Sequence, residues 1–113
     1  MNNSNFENIL RNDHDIDPKL YLKKANRQAK LHGYPNVEFS DKPKYKLKIL
    51  NPETDKYVYF GSAINNDFII YNMTNKAIAK EKQRLYLARA TRIKGEWRNN
   101  SYSPNWLSIC ILW

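Results

Sequence analysis

The sequence "KYKLKIL", residues 44–50, alternates between two kinds of side chain, and this pattern constrains the fold more than any other part of the chain. Lysines occupy positions 44, 46 and 48, whereas Tyr45, Leu47 and Ile49 stand between and after them. A period of two predicts a strand with one buried face and one face coated with lysine. The turn sequence "NPETD" and the β-prone run "KYVYFG" follow directly, so the segment predicts a β-hairpin. The exposed lysines either contact phosphate or keep a sheet edge from aggregating, and the second role is the better default.

Two basic segments carry the signals of helices. The first helix begins with Asp17 as its cap and Pro18 in its first turn, and Gly33 ends it. The second helix spans residues 74–95 and carries seven positive charges against one carboxylate. One broad face of this second helix collects its apolar positions, namely Ile78, Leu85, Tyr86, Ala90 and Ile93.

Between these elements, "DFIIYN" (residues 67–72) predicts a third short strand or an extended segment. Residues 1–16 are rich in Asn and Asp and predict a flexible acidic arm, so residues 17–113 form the single basic domain. The expected fold class is α+β. A small antiparallel sheet, made of the hairpin and a short third strand, packs against two basic helices. A C-terminal aromatic segment closes the core, with Trp97, Leu107 and Leu112 substantially buried.

The charge balance favours a polyanionic partner. The chain has 19 Lys and Arg against 11 Asp and Glu, a net charge of +8 and a pI of about 9.6. Lys and Arg neutralise phosphates with little regard to sequence, so nucleic acid is the expected partner. The candidate phosphate contacts are Lys23, Lys24, Arg27, Lys80, Arg84, Arg89, Arg92, Lys94 and Arg98. Three nearby aromatic residues, Trp97, Tyr102 and Trp106, are candidates for base stacking or for the core.

Catalytic, metal and cofactor chemistry find little support in the sequence. The single cysteine, Cys110, lies in an apolar run, and the two histidines, His14 and His32, stand on different segments. Three glycines cannot supply a phosphate-cradling loop, and no nucleophile motif is present. We therefore expect no enzyme activity, no metal and no cofactor. No apolar run is long enough to span a bilayer, so no membrane partner is expected.

Several short motifs resemble those of a family of small basic proteins from nucleocytoplasmic large DNA viruses, of the mimivirus, marseillevirus and chlorella-virus type. They are Phe60–Gly61, Asp67–Phe68, Tyr86 with Arg89, Gly95 with Trp97, Tyr102–Asn105 and Leu112–Trp113. Relatives often carry a histidine near the positions of Tyr71 and Ala90, which this chain lacks, so no role of those histidines carries over.

The resemblance implies a viral protein that travels in the virion and acts in the cytoplasmic viral factory of the host cell. Combined with the charge, it makes a non-enzymatic, DNA-binding virion protein the first hypothesis. One alternative is a minor capsid or cement protein that binds other virion proteins. A weaker alternative is an accessory subunit of a viral nucleic-acid-processing complex. Oligomeric state stays open.

Overall fold

A computed structural model describes residues 5–113 and has an α+β fold with one small antiparallel sheet. The strands, in spatial order, are β1 (Val37–Phe39), β2 (Tyr45–Asn51) and β3 (Lys56–Ser62). β2 and β3 are the predicted hairpin, which is confirmed. In the centre of the sheet, Leu47 of β2 lies opposite Phe39 on one side and Phe60 on the other. Such cross-strand pairs of apolar side chains stabilise the sheet and begin its core.

The third strand is not the predicted one. Residues 68–74 form a helix, α3 (Phe68–Thr74), and the third strand, β1, precedes the hairpin instead of following it. The β-branched and aromatic run predicted a strand, but Asp67 caps the helix by accepting the backbone N–H of Ile70 at 2.9 Å. β1 is anchored because the backbone N–H of Val37 donates to the side chain of Asn26 at 2.6 Å.

The predicted flexible arm also needs correction, because residues 5–13 form a helix, α1 (Asn5–Asp13). Phe6 and Leu10, one turn apart, are fully buried, and the ring of Phe6 meets that of Tyr21 edge-on with 5.0 Å between centroids. Ile16 is buried as well. The segment is polar overall, but Phe6 and Leu10 are four residues apart and therefore lie on the same face of a helix, which is enough to pack a short helix against the core. Residues 1–4 of the predicted arm lie outside the described part of the chain.

The two basic helices are α2 (Pro18–Leu31) and α4 (Lys76–Ala90). Asp17 caps α2 as predicted, accepting the backbone N–H of Lys19 at 3.0 Å. α4 departs from its predicted packing, since only Ala79 and Ala90 are fully buried along it. Three members of the predicted apolar face are exposed: Ile78, Leu85 and Ile93. α4 therefore offers most of its long side chains to solvent.

The C-terminal segment, defined here as residues 96–113, closes the core. A short 3-10 turn (Glu96–Asn99) leads into α5 (Pro104–Leu107) and then into a wider π-type turn (Ser108–Leu112). Ser103 caps α5, as the Ser-Pro pair predicts. Leu107 and Leu112 are buried as predicted, whereas Trp97 is only partly buried.

Candidate nucleic-acid interface

A buried carboxylate ties the sheet to two helices. One oxygen of Asp67 accepts from the Lys46 ammonium at 2.7 Å and from the Tyr21 hydroxyl at 2.6 Å. Its other oxygen caps α3. The side chains of Lys46 and Asp67 are 2% and 0% exposed, so the predicted lysine-coated face is wrong at Lys46. Ion pairing and hydrogen bonding satisfy charges that burial would otherwise make costly.

Gly61 of β3 makes the space that this lysine occupies. A Cβ added at Gly61 would lie 3.2 Å from Cδ of Lys46 and 2.8 Å from Cδ1 of Leu112. The backbone at Gly61 also has φ of +80°, a conformation that residues with a side chain rarely adopt. Position 61 therefore requires glycine for two reasons, the positive φ and the lack of space for a side chain. The absence of a side chain lets the C-terminal segment pack directly on the strand.

Tyr21 is a permanent proton donor in this cluster. Complete burial raises the pKa of its phenol well above the ordinary value of 10, and the adjacent Asp67 carboxylate raises this pKa further. The hydroxyl therefore stays protonated across the physiological range and keeps donating to Asp67. In this way the cluster fixes the start of α3, which is one wall of the cavity described next.

A cavity of about 490 Å³, here called the α4 cavity, opens between the sheet, α3, α4 and the C-terminal segment. Lys82 and Arg89, seven residues apart on α4, both line it. Tyr71, Tyr86 and Trp113 supply its aromatic walls. Lys46 also lines the cavity, but its charge is neutralised by Asp67. No acidic side chain in the described part of the chain lines the α4 cavity, so the unbalanced charge of its described side chains is positive.

The aromatic walls are held in place by contacts among themselves. Trp113 stacks on Tyr86, with 4.2 Å between ring centroids and 6° between ring planes, and it meets Tyr71 at 6.3 Å. The side chain of Gln83 donates to the main-chain oxygen of Trp113 at 2.6 Å. Burial raises the pKa of the Tyr86 phenol, against the opposing effects of Ser108 and Arg89, so this ring stays neutral at physiological pH.

A second cavity of about 340 Å³, the α2 cavity, is also lined by Trp113. Lys24 and Arg27 of α2 line it together with the carboxamides of Asn72 and Gln83. Among residues 5–113, no acidic side chain lines this cavity either. Leu112 and Trp113 line both cavities, so the basic faces of α2 and α4 adjoin across the C-terminal segment.

The structure brings only some of the nine predicted cations together. Lys24 and Arg27 meet in the α2 cavity, and Arg89 lies in the α4 cavity. Arg84 is instead paired with Glu81, its Nε lying 2.7 Å from the carboxylate. Arg98 is also engaged, because it donates to the carbonyl of Thr91 and covers the ring of Trp97. The remaining four are exposed and line neither cavity: Lys23, Lys80, Arg92 and Lys94.

The three predicted aromatic candidates contact the protein itself. Trp97 and Trp106 pack edge-to-face with 5.3 Å between ring centroids. Their indole N–H groups donate to the carbonyls of Ile93 and Arg98, at 2.7 and 3.0 Å. Tyr102 meets the ring of Tyr34 edge-on. These contacts favour the packing role over base stacking, because the three rings already pack against other aromatic rings of the protein.

Sequence reasoning missed most of the side chains that line the α4 cavity, among them Lys46, Tyr71, Lys82 and Trp113. A signal for Lys82 was present, because Lys82, Tyr86 and Arg89 follow the spacing of one helix face. No comparable signal marked Tyr71, whose position depends on residues 68–74 being a helix.

The described residues offer little for other chemistry. Within residues 5–113 no group of His, Cys, Asp and Glu side chains is placed to hold a metal ion. Burial raises the pKa of the Cys110 thiol, which therefore remains largely protonated at neutral pH and is a weak nucleophile. No helix in this part of the chain is long and apolar enough to cross a membrane.

Comparison with protein families, characterised proteins and solved structures finds no match to this chain. The resemblance to a family of large DNA viruses therefore stays a prediction. The geometry and charge of the two cavities are therefore the basis for a proposed function.

Proposed function

We propose that this protein binds nucleic acid without catalysing a reaction, contacting phosphates through α2 and α4 with little sequence specificity. The observation that carries the proposal is the pair of adjoining cavities around Trp113. Within residues 5–113, each cavity is lined by two cations that no ion pair neutralises and by no acidic side chain. A net charge of +8 adds a long-range attraction to any polyanion.

The four cavity cations set the expected salt dependence. They are Lys24, Arg27, Lys82 and Arg89. If each neutralises one phosphate, the logarithm of the binding constant falls against the logarithm of salt concentration with a slope of about −3 to −4. A slope of this size separates a defined interface from diffuse attraction by all 19 basic residues, which gives a steeper dependence.

Fluorescence anisotropy with labelled single-stranded and duplex DNA over a range of salt concentrations tests the proposal. The double variants Lys24→Gln/Arg27→Gln and Lys82→Gln/Arg89→Gln should each weaken binding and reduce the slope. The matched control is Lys80→Gln/Lys94→Gln, which removes two charges outside both cavities and should change binding far less. Absence of binding at low salt, or a control variant as weak as the cavity variants, would refute the proposal.

The second candidate is a minor capsid or cement protein, favoured by apolar side chains that the surface leaves open. Ile64 is 84% exposed and Leu31 is 69% exposed, so a protein partner at either position would remove apolar surface from water. Association with a virus particle follows from the family resemblance alone. Fractionation of purified particles distinguishes the two candidates, because a DNA-binding protein follows the genome whereas a cement protein stays with the shell.

A further inference from the structure

We infer that the α4 cavity is a binding site for a single nucleotide, with its phosphate on Lys82 and Arg89 and its base beside the aromatic wall. The inference deepens the proposed function, because an unpaired nucleotide of a strand is one source of such a ligand. A free nucleotide is the other source, and the same chemistry would recognise it.

The size of the cavity fits a ligand of this kind. Its volume of about 490 Å³ falls within the range of about 300–1,000 Å³ that is typical of small-molecule sites. The α2 cavity is smaller, and its aromatic lining consists of Phe68 and Trp113, without the two tyrosines that line the α4 cavity.

The charge of the cavity fits a phosphate. Lys82 and Arg89 lie two turns apart on the same face of α4, and neither forms an ion pair with a carboxylate of residues 5–113. An arginine can donate two parallel hydrogen bonds to a phosphate, and a lysine adds a compact charge beside it. Lys46 does not compete for the ligand, because its ammonium already donates to Asp67.

The aromatic wall fits a base. The ring of Trp113 is fixed by its stack on Tyr86, and the Lys82 ammonium lies 5.9 Å from the centre of the Tyr71 ring. Rings that are already ordered lose little entropy when a base packs against them, so stacking contributes more to affinity. Asn65 and Asn66 also line the cavity and supply carboxamide donors and acceptors for the sugar or the base edge.

Trp113 lines both cavities, so its signal reports a ligand in either one, and the cation variants described below assign the ligand to the α4 cavity. In a proton–nitrogen correlation spectrum of the intact chain, three tryptophans give three indole signals, and the variant Trp113→Phe assigns one of them. Adenosine 5′-monophosphate should shift the Trp113 signal while the Trp97 and Trp106 signals stay nearly unchanged. Adenosine and inorganic phosphate, each carrying half of the recognised chemistry, should bind at least about tenfold more weakly.

Variants separate this site from general attraction. Lys82→Gln/Arg89→Gln should weaken adenosine monophosphate binding by about tenfold or more, whereas Lys80→Gln/Lys94→Gln should change it less than about twofold. The inference is overturned if the nucleotide leaves the Trp113 signal unmoved at millimolar concentration. It is overturned equally if phosphate alone binds as well as the nucleotide, or if both double variants lose the same affinity.

Anisotropy with short DNA strands distinguishes failure of this inference from failure of the proposed function. DNA binding without any nucleotide effect at Trp113 removes the inference and leaves the proposed function standing. Nucleotide binding at Trp113 without DNA binding supports the inference with a free nucleotide as the ligand, and it removes the proposed function. When both bind, the free nucleotide should displace single strands more effectively than duplex.

Discussion

The buried ion pair between Lys46 and Asp67 offers the sharpest test of how this fold is held together. The substitution Asp67→Asn keeps the size of the side chain and keeps an oxygen that can cap α3. It removes the negative charge that faces the Lys46 ammonium at 2.7 Å. Because that lysine is 2% exposed, little water contacts its side chain in place of the lost partner.

The expected loss of stability is large. Removing one partner of a buried ion pair costs about 3–5 kcal/mol, because the other charge stays buried without compensation. For a chain of 113 residues, the entropy of unfolding at the midpoint is about 0.24 kcal/mol/K. The melting temperature should therefore fall by roughly 13–21 °C. A fold of this size has a total free energy of unfolding of about 6–17 kcal/mol, so the variant should still fold but with markedly lower stability.

Urea denaturation followed by far-ultraviolet circular dichroism measures this loss. The matched control is Glu81→Gln, which makes the same carboxylate-to-amide change in the exposed pair with Arg84 and should cost at most about 0.5 kcal/mol. Adding Lys46→Met to Asp67→Asn removes the unpaired charge and should recover part of the loss. If the free energy of unfolding of Asp67→Asn lies within about 1 kcal/mol of that of the parent protein, the ion pair does not make the expected contribution to stability.

Three further predictions test other contacts of the fold. Gly61→Ala should lower the free energy of unfolding by about 2–5 kcal/mol, because the added methyl group brings both backbone strain and overpacking. Gly33→Ala is the comparison: Gly33 has φ of +79° but open space around it, so the loss should be about 1–2 kcal/mol, and thermal melts measure both variants. Phe6→Ala should cost about 3–5 kcal/mol in urea denaturation, whereas a residue of a mobile arm would cost nothing. Folding raises the pKa of Tyr21 above 10, so its protonated form contributes stability that is complete below pH 10 and is lost as the pH rises toward the folded pKa. The stability gap between the parent protein and Tyr21→Phe, about 1.5–3 kcal/mol at pH 8, should therefore narrow in denaturation series above pH 10.

The hairpin and the start of α2 could be predicted because their signals are local. Alternation over residues 44–50 and the turn sequence that follows determine a strand pair without help from the rest of the chain. Asp17 and Pro18 likewise act within one turn of the helix that they begin. In these segments the local preference and the final packing agree, which is why the pattern was sufficient.

α3 was missed because the β-prone side chains of residues 68–72 outweighed a local helix signal, the cap Asp67, whereas the burial of Lys46 depends on that same residue 21 positions away. Asp67 begins a helix in a β-prone run, and the same carboxylate draws in a lysine 21 residues away and a tyrosine 46 residues away. Alternation predicts an exposed Lys46 only if water covers that side of β2. The missing side chain of Gly61 and the approach of Leu112 change that condition.

The cations of the interface could be predicted as residues but not as a site. Charge and helix periodicity place Lys24, Arg27 and Arg89 on basic faces. Whether such faces adjoin is decided by the C-terminal segment, which packs between α2 and α4 and contributes Trp113 to both cavities. An expectation that Trp97, Tyr102 and Trp106 supply the aromatic surface therefore selected rings that pack against the protein itself.

The position of the C-terminal segment links ligand binding to stability. Leu112 is buried against Gly61, while the next residue, Trp113, is partly exposed between the two cavities. A ligand in either cavity contacts a segment that is ordered only in the folded chain, so occupancy stabilises the fold by about 2.7 kcal/mol at a ligand concentration of one hundred times Kd. The same linkage runs in reverse, because a substitution that loosens Leu112 also misplaces the Trp113 ring. Weakened binding by a core variant such as Gly61→Ala would thus arise without any change to the cations that we propose to contact phosphate.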